Sequence, residues 1–245
     1  MSDLADTGGR GPGLGLVPDP DPEVAGAALP LGAAAALVGG YRWIEQALYE
    51  LLGSWVTDVP LPGVQVLLDA QSTRHAWHAE LWADRLPVLA GVDPEALTAP
   101  PEPARAVLAT LAGIGPPAGV PGWSWAPAND DGSAIGPPGA LPRLAGLYRV
   151  VLPRLVVSYG RHLAAASPVA DGPVIRALRL ILADEVEDWH VGERLVQRLV
   201  TRPHDVAAVY AYLQQLESVV VNASVASGLV VFPKIRPADP RPRGR

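Results

Sequence analysis

The sequence predicts an all-α protein: an antiparallel four-helix bundle with a long crossover connection and a fifth, C-terminal helix. Apolar residues recur at three- and four-residue spacing through five long segments, which is the period of an amphipathic helix. Prolines and glycines stand mostly at the ends of these segments. Alanine and leucine supply most of the bulk, and aromatic residues make up only 6% of the chain, which favours closely packed helices over strands.

Proline positions set most of the predicted helix ends. Pro60 and Pro62 separate the first two helices, and Pro87 interrupts or ends the second. Pro153 lies inside the third helix and predicts a kink there. Pro203 opens the fifth helix as a first-turn residue. The five helices are predicted over residues 32–55, 63–86, 141–166, 173–200 and 203–228.

Three segments lie outside this pattern. Residues 1–30 are rich in glycine, proline and aspartate and lack apolar periodicity, so we expect disorder there. Residues 94–141 form a Pro/Gly-rich crossover, within which residues 103–111 fit one short helix. Residues 231–245 are a basic, Pro-rich tail. The bundle domain is therefore predicted over residues 31–230.

Composition excludes several function classes. The chain has no cysteine, so disulfides, thiolate metal sites and thiol catalysis are excluded, and any metal would need oxygen and imidazole ligands. A net charge of −6 argues against a general nucleic-acid surface. No apolar run reaches the length of a membrane span, and no signal peptide is evident. We therefore expect a cytoplasmic protein that binds neither nucleic acid nor membrane.

Charged and polar side chains interrupt the apolar faces at mid-helix. A leucine is the usual residue at such positions, because an unpaired buried charge is costly. Asp188 lies on the same helix as Glu185, to one side of it on the apolar face. The central residues are Glu45 on the first helix, His75 and His78 on the second, Glu185 on the fourth and Glu217 on the fifth.

Height along the bundle groups these residues. The first turn centres near residue 60, so Glu45 is expected level with residues near 75, which include both His75 and His78. The turn between the third and fourth helices centres near residue 170, so Glu185 is expected to face Arg154 and Ser158.

Two interpretations of this group remain open. In one, a metal ion explains why carboxylates converge in a core. In the other, Arg154 enters the core and binds Glu45 or Glu185 as a bidentate ion pair, so that no metal is needed. The candidate metal ligands are Glu45, His75, His78, Glu185 and Asp188.

The pattern resembles the ferritin-like superfamily, in which four helices supply Glu, Glu-x-x-His, Glu and Glu-x-x-His to a di-iron centre. Glu45 matches the first glutamate and His78 the histidine of the second motif, whereas His75 stands where that motif has glutamate. A literal Glu-x-x-His occurs at Glu187 and His190, but helical periodicity turns it away from the apolar face. The resemblance thus implies a degenerate di-iron site.

Two functions follow as expectations. The first is a metal-free bundle that acts as a binding or interaction module, with a homodimer or another protein as partner. The alternative is a metal-dependent oxidoreductase of the ferritin-like type, which would use iron or manganese.

Overall fold

The computed structural model describes residues 29–112, 139–223 and 228–232, and all regular secondary structure in these ranges is helical. The all-α prediction is therefore confirmed for the described part of the chain. The elements in order are α1 (Leu31–Trp55), α2 (Pro62–Ala83), a 3₁₀ turn (Pro94–Leu97), α3 (Glu102–Ala112), α4 (Ala140–Gly146), a π-helical turn (Leu147–Val151), α5 (Leu152–Ala165), α6 (Gly172–Leu199) and α7 (Pro203–Asn222).

Each predicted helix has a counterpart, and most ends differ by a few residues. The third predicted helix corresponds to α4, the π-helical turn and α5 taken together, and the short helix in the crossover is α3. The predicted disordered N-terminus, most of the crossover, the end of the fifth helix and the basic tail fall largely outside the described residues.

Two helical hairpins carry the candidate residues. Helix α1 packs along α2, and α5 packs along α6. Ser72, in the middle of α2, donates a hydrogen bond to the carbonyl oxygen of Tyr49 late in α1 at 2.8 Å, consistent with an antiparallel pair. The hairpins meet where the Gln71 side-chain amide donates to the carbonyl oxygen of Asp188 at 3.5 Å, which brings α2 against α6.

The π-helical turn lies directly before Pro153. The backbone N–H of Leu152 donates to the carbonyl oxygen of Leu147, five residues back, instead of the usual four. Pro153 has no N–H, so the carbonyl oxygen of Arg149 cannot receive the normal helical hydrogen bond from it. The irregularity that Pro153 predicts therefore takes the form of one wide turn, followed by regular helix.

Helix α7 packs on α3 and α4 through a face that matches the sequence pattern only in part. The helical period of the sequence places Glu217 among five apolar residues, Val206, Tyr210, Leu213, Val220 and Val221. Val220 is buried and Leu213 packs against the core, but Val206, Tyr210 and Val221 are 52%, 64% and 71% exposed. Apolar residues surround this helix on several sides, so periodicity alone could not choose among its faces. Its buried residues are Asp205, Ala208, Val209, Tyr212, Leu216 and Val220.

The core holds several large aromatic side chains among its aliphatic ones. Trp82, Tyr41, Tyr148 and Tyr159 are fully buried. None of the helices in the described ranges combines the length and the apolar character that a membrane crossing requires.

Candidate metal centre

Four of the predicted ligands converge at the centre of the structure. Glu45 comes from α1, His75 and His78 from α2, and Glu185 from α6, and one donor atom from each lies within 4.8 Å of all the others. All four side chains are at most 1% exposed. The sequence brings them together because three-residue spacing places both histidines on one face of α2, between α1 and α6.

Three of the four separations between the carboxylate and imidazole donors resemble those between ligands of one ion. Nδ1 of His75 lies 2.6 Å from Oε2 of Glu45 and 3.3 Å from Oε1 of Glu185. Nδ1 of His78 lies 3.2 Å from the same Glu185 oxygen and 3.6 Å from the same Glu45 oxygen. Two ligands of a tetrahedral ion with bonds of about 2.0–2.1 Å lie about 3.3–3.4 Å apart. Three of the four separations fall near that value, and the fourth is short enough for a hydrogen bond.

The protonation of the group reflects strong mutual attraction. Burial alone would raise the pKa of Glu45, but the charges and hydrogen bonds of the two histidines outweigh it and lower the pKa to about 2. Burial alone would lower the pKa of His78, but attraction to Glu45 and hydrogen bonding to both glutamates raise it to about 11. The pKa of His75 is raised against burial by Glu185 and Glu45. Burial raises the pKa of Glu185.

These directions describe which charges the centre favours. In the metal-free protein, the raised pKa values of His75 and His78 favour positively charged imidazoles beside Glu45, whereas burial favours the neutral form of Glu185. A divalent cation bound here would replace the imidazole protons, since metal ligands bind in their deprotonated form.

Tyr159 on α5 adds a contact to the centre that the sequence reasoning missed. Its hydroxyl donates a short hydrogen bond to Oε1 of Glu45. Its ring packs on Trp82 and Tyr41, with centroids 5.7 and 4.8 Å away. Burial, with the nearby charges of Glu45 and Glu185, raises the pKa of Tyr159 well above its usual value, so the phenol stays protonated and remains a donor. The sequence did offer one indication of this contact: Tyr159 follows Ser158, which was expected at the same height in the bundle as Glu185.

Asp188 does not join the four donors. Its Oδ1 accepts a hydrogen bond from Arg74 at 2.5 Å, and the pair joins α6 to α2 beside the centre. Its Oδ2 is buried without a hydrogen-bond partner among the described residues. Burial raises the pKa of Asp188 although Arg74 opposes the shift. The carboxylate is therefore held in an ion pair next to the centre.

Arg154 pairs with Glu217 and not with a residue of the centre, so the expected ion pair with Glu45 or Glu185 does not form. Its guanidinium donates to Glu217 on α7 at 2.6 Å and to the carbonyl oxygen of Val150 at 3.1 Å. The side chain is 21% exposed. Ser158 is buried but serves the backbone: it donates to the carbonyl oxygen of Arg154 and accepts from the N–H of Leu229. An Arg154 ion pair with Glu45 or Glu185 is absent from the described residues.

The outer nitrogen of His78 also has a partner. Its Nε2 lies 3.2 Å from Oδ2 of Asp184 on α6. A histidine that faces a metal with one nitrogen usually meets a carboxylate or carbonyl with the other. Glu187 and His190, which form the literal Glu-x-x-His, are both exposed, as periodicity predicts.

The fold and the site together define a helical protein with a buried Glu/His/His/Glu group that could hold a metal ion and is compatible with a di-iron site. Comparisons with protein-family models, curated proteins and solved structures found no match for this chain.

Proposed function

We propose that this protein is a ferritin-like bundle that binds one divalent transition-metal ion through Glu45, His75, His78 and Glu185. The observation that carries the proposal is the convergence of these four donor atoms within 4.8 Å in a fully buried setting. Ion-pair networks can also bury carboxylates, but Arg154, the arginine expected to form one, is bound to Glu217 instead.

The donor set favours a particular group of ions. Two imidazoles and two carboxylates suit iron, manganese or zinc, and the ferritin-like resemblance favours iron or manganese. Such an iron or manganese ion would supply one-electron redox chemistry at the bundle centre. The chain's own contributions are an enclosed core, the hydrogen bond from Tyr159 that holds one oxygen of Glu45, and the contact of Asp184 with His78.

The number of donors supports a single ion. A di-iron centre of the ferritin-like kind uses four carboxylates and two histidines. Here the group has two of each, because His75 stands in place of a glutamate and α5 contributes Tyr159 instead of a carboxylate. Asp188 is engaged by Arg74. The proposed centre is therefore a reduced form of the two-metal arrangement.

Metal analysis of protein purified from cells supplied with iron, manganese and zinc tests the proposal. We expect one ion per chain in the wild type and loss of the ion in His78→Ala. His190→Ala is the matched control, since His190 is exposed on α6, and it should retain the ion. Wild-type protein without stoichiometric metal, together with wild-type-like folding of His78→Ala, would contradict the proposal.

A second candidate is a metal-free interaction module. It is favoured by the 2.6 Å contact between His75 and Glu45, which lets imidazole and carboxylate satisfy each other without a cation. The exposed apolar stripe on α7 that contains Val206, Tyr210 and Val221 would be its contact surface for a second copy or another protein. Chelation separates the candidates: it lowers the midpoint of thermal unfolding if a metal is bound and leaves it unchanged if none is.

A further inference from the structure

The four donor atoms of the centre are sealed from solvent. Each of their side chains is at most 1% exposed, so an ion cannot reach them directly from the surface. Of the polar side chains that contact this group, Tyr159 is itself fully buried beneath Trp82 and Tyr41. Asp184 differs, because its side chain is 29% exposed while its carboxylate touches His78. It therefore spans the distance between solvent and the centre.

We propose that Asp184 is the entry port through which a divalent cation reaches the metal centre, an inference that rests on the proposed function. Its carboxylate attracts the cation at the surface and holds it jointly with the outer nitrogen of His78. The ion then passes along the edge of the imidazole to the four inner donors.

The geometry of the Asp184–His78 contact fits a transient two-ligand site. Oδ2 of Asp184 and Nε2 of His78 lie 3.2 Å apart, close to the ~3.3 Å between two ligands of one ion. In an imidazole, Nε2 and Nδ1 are separated by a single ring carbon. The outer nitrogen meets Asp184 and the inner one lies 3.2 Å from Oε1 of Glu185. The imidazole ring of His78 thus connects the partly exposed Asp184 to the buried donors of the centre.

The chain also offers a matched control for this role. Glu187 lies three residues further along α6, is exposed, and carries the same charge as Asp184. The Asp184→Asn change removes the charge but keeps an oxygen that can accept a hydrogen bond from Nε2 of His78. The orientation of the His78 imidazole is thereby preserved. The variant therefore tests only whether the charge of Asp184 attracts the cation.

Cobalt(II) is a suitable probe because its tetrahedral complexes absorb visible light. Metal-free protein is mixed with cobalt(II) in a stopped-flow instrument, release is measured by chelator chase, and the dissociation constant is obtained by titration. We expect Asp184→Asn to slow loading about tenfold or more, as for loss of an electrostatically steering charge. Release should slow by the same factor, because a residue on the path speeds passage in both directions. The dissociation constant should therefore stay unchanged.

Salt and the control variant sharpen the test. The wild type should load cobalt(II) more slowly as the sodium chloride concentration is raised. The ratio of its loading rate to that of Asp184→Asn should decrease at the same time. Glu187→Gln should load at the wild-type rate. Loading of Asp184→Asn at the wild-type rate would overturn the port while leaving the metal centre intact. Weaker binding with faster release would also overturn it, since that result assigns Asp184 to orientation of His78. A wild type that binds no cobalt would overturn the proposed function itself.

Discussion

Tyr159 holds one oxygen of Glu45, and the other oxygen of the same carboxylate faces both histidines of the centre. The phenol donates to Oε1, while Oε2 lies 2.6 Å from Nδ1 of His75 and 3.6 Å from Nδ1 of His78. The two oxygens therefore have separate roles. Tyr159 fixes the rotation of the carboxylate, so that Oε2 is the oxygen presented to a cation.

This relationship predicts the effect of Tyr159→Phe. Without the phenol, Oε1 of Glu45 loses a buried hydrogen bond, which should lower the free energy of unfolding of the metal-free protein by about 1–3 kcal/mol. Loss of an outer partner of a metal ligand should also weaken metal binding by about 10–100-fold. Urea unfolding measures the first effect, and competition with a chelating dye measures the second.

Tyr148→Phe is the matched control for that change. Tyr148 is equally buried and its hydroxyl donates to the side-chain oxygen of Gln71 at 2.6 Å, away from the four donors. We expect a similar loss of stability and no change in metal affinity. Equal metal affinities for the two tyrosine variants would show that the Tyr159 hydroxyl does not orient Glu45.

The sequence predicted the residues that α1, α2 and α6 contribute to the centre, but it missed the residue that α5 contributes. On α1, α2 and α6 the helical period runs unbroken, so Glu45, His75, His78 and Glu185 all lie where the period put them. On α5, height relative to the turn near residue 170 pointed to Arg154 and Ser158, but the side chain that reaches Glu45 is Tyr159, about 100° further round the helix than Ser158. Ser158 and Tyr159 are both buried, so periodicity within α5 could not choose between these two faces.

Helix α7 shows a different limit of sequence reasoning. Its apolar residues are distributed around the helix, and the side on which it packs is chosen by α3 and α4. Gly146 of α4 leaves space for Leu216 and Tyr212, because a Cβ at this glycine would lie 2.6 Å from the Leu216 side chain. Complementarity of this kind depends on residues far apart in the chain, which periodicity within one helix cannot reveal.

The position of Arg154 predicts that Arg154→Met is tolerated. The ion pair with Glu217 is partly exposed, with side-chain exposures of 21% and 40%, so solvent screens it. Pairs of this kind contribute about 0–1 kcal/mol. We expect a correspondingly small change in the free energy of unfolding and unchanged metal content. A double-mutant cycle with Glu217→Gln measures the pair, and failure of Arg154→Met to fold would restore a core role for the arginine.

His162 predicts a loss of stability in mildly acidic solution. Its buried ring lies between Tyr41 and Phe232. Burial, only partly opposed by the charge of Asp171, lowers its pKa to about 4. An unfolded chain has a histidine pKa of about 6.5, so below that pH the unfolded state takes up a proton that the folded state does not. Stability should be independent of this group above about pH 6.5 and fall by up to ~3 kcal/mol as pH approaches 4.

The His162→Phe variant removes that proton uptake and isolates its contribution. The free energy of unfolding of both proteins is measured in urea at several pH values, with chelator present so that metal binding does not vary. The difference between wild type and variant should change across the interval from about pH 6.5 to 4 and stay constant above it. Parallel pH profiles over the whole range would show that His162 is not held neutral by burial.

The packing of Tyr148 against α6 predicts that Gly192→Ala destabilises the bundle. A Cβ at this position would lie 1.9 Å from the Tyr148 ring, a distance that no packed structure tolerates. The ring is fully buried and its hydroxyl is bound to Gln71, so relief requires movement of the π-helical turn or of α6. Such overpacking costs about 1–3 kcal/mol. Gly172→Ala is the control on the same helix, because a Cβ there meets nothing within 4 Å. The midpoint of thermal unfolding should be lower than the wild-type value for Gly192→Ala and should not be lowered for Gly172→Ala. Equal midpoints for the two variants would mean that the Tyr148 ring can move aside without loss of stability.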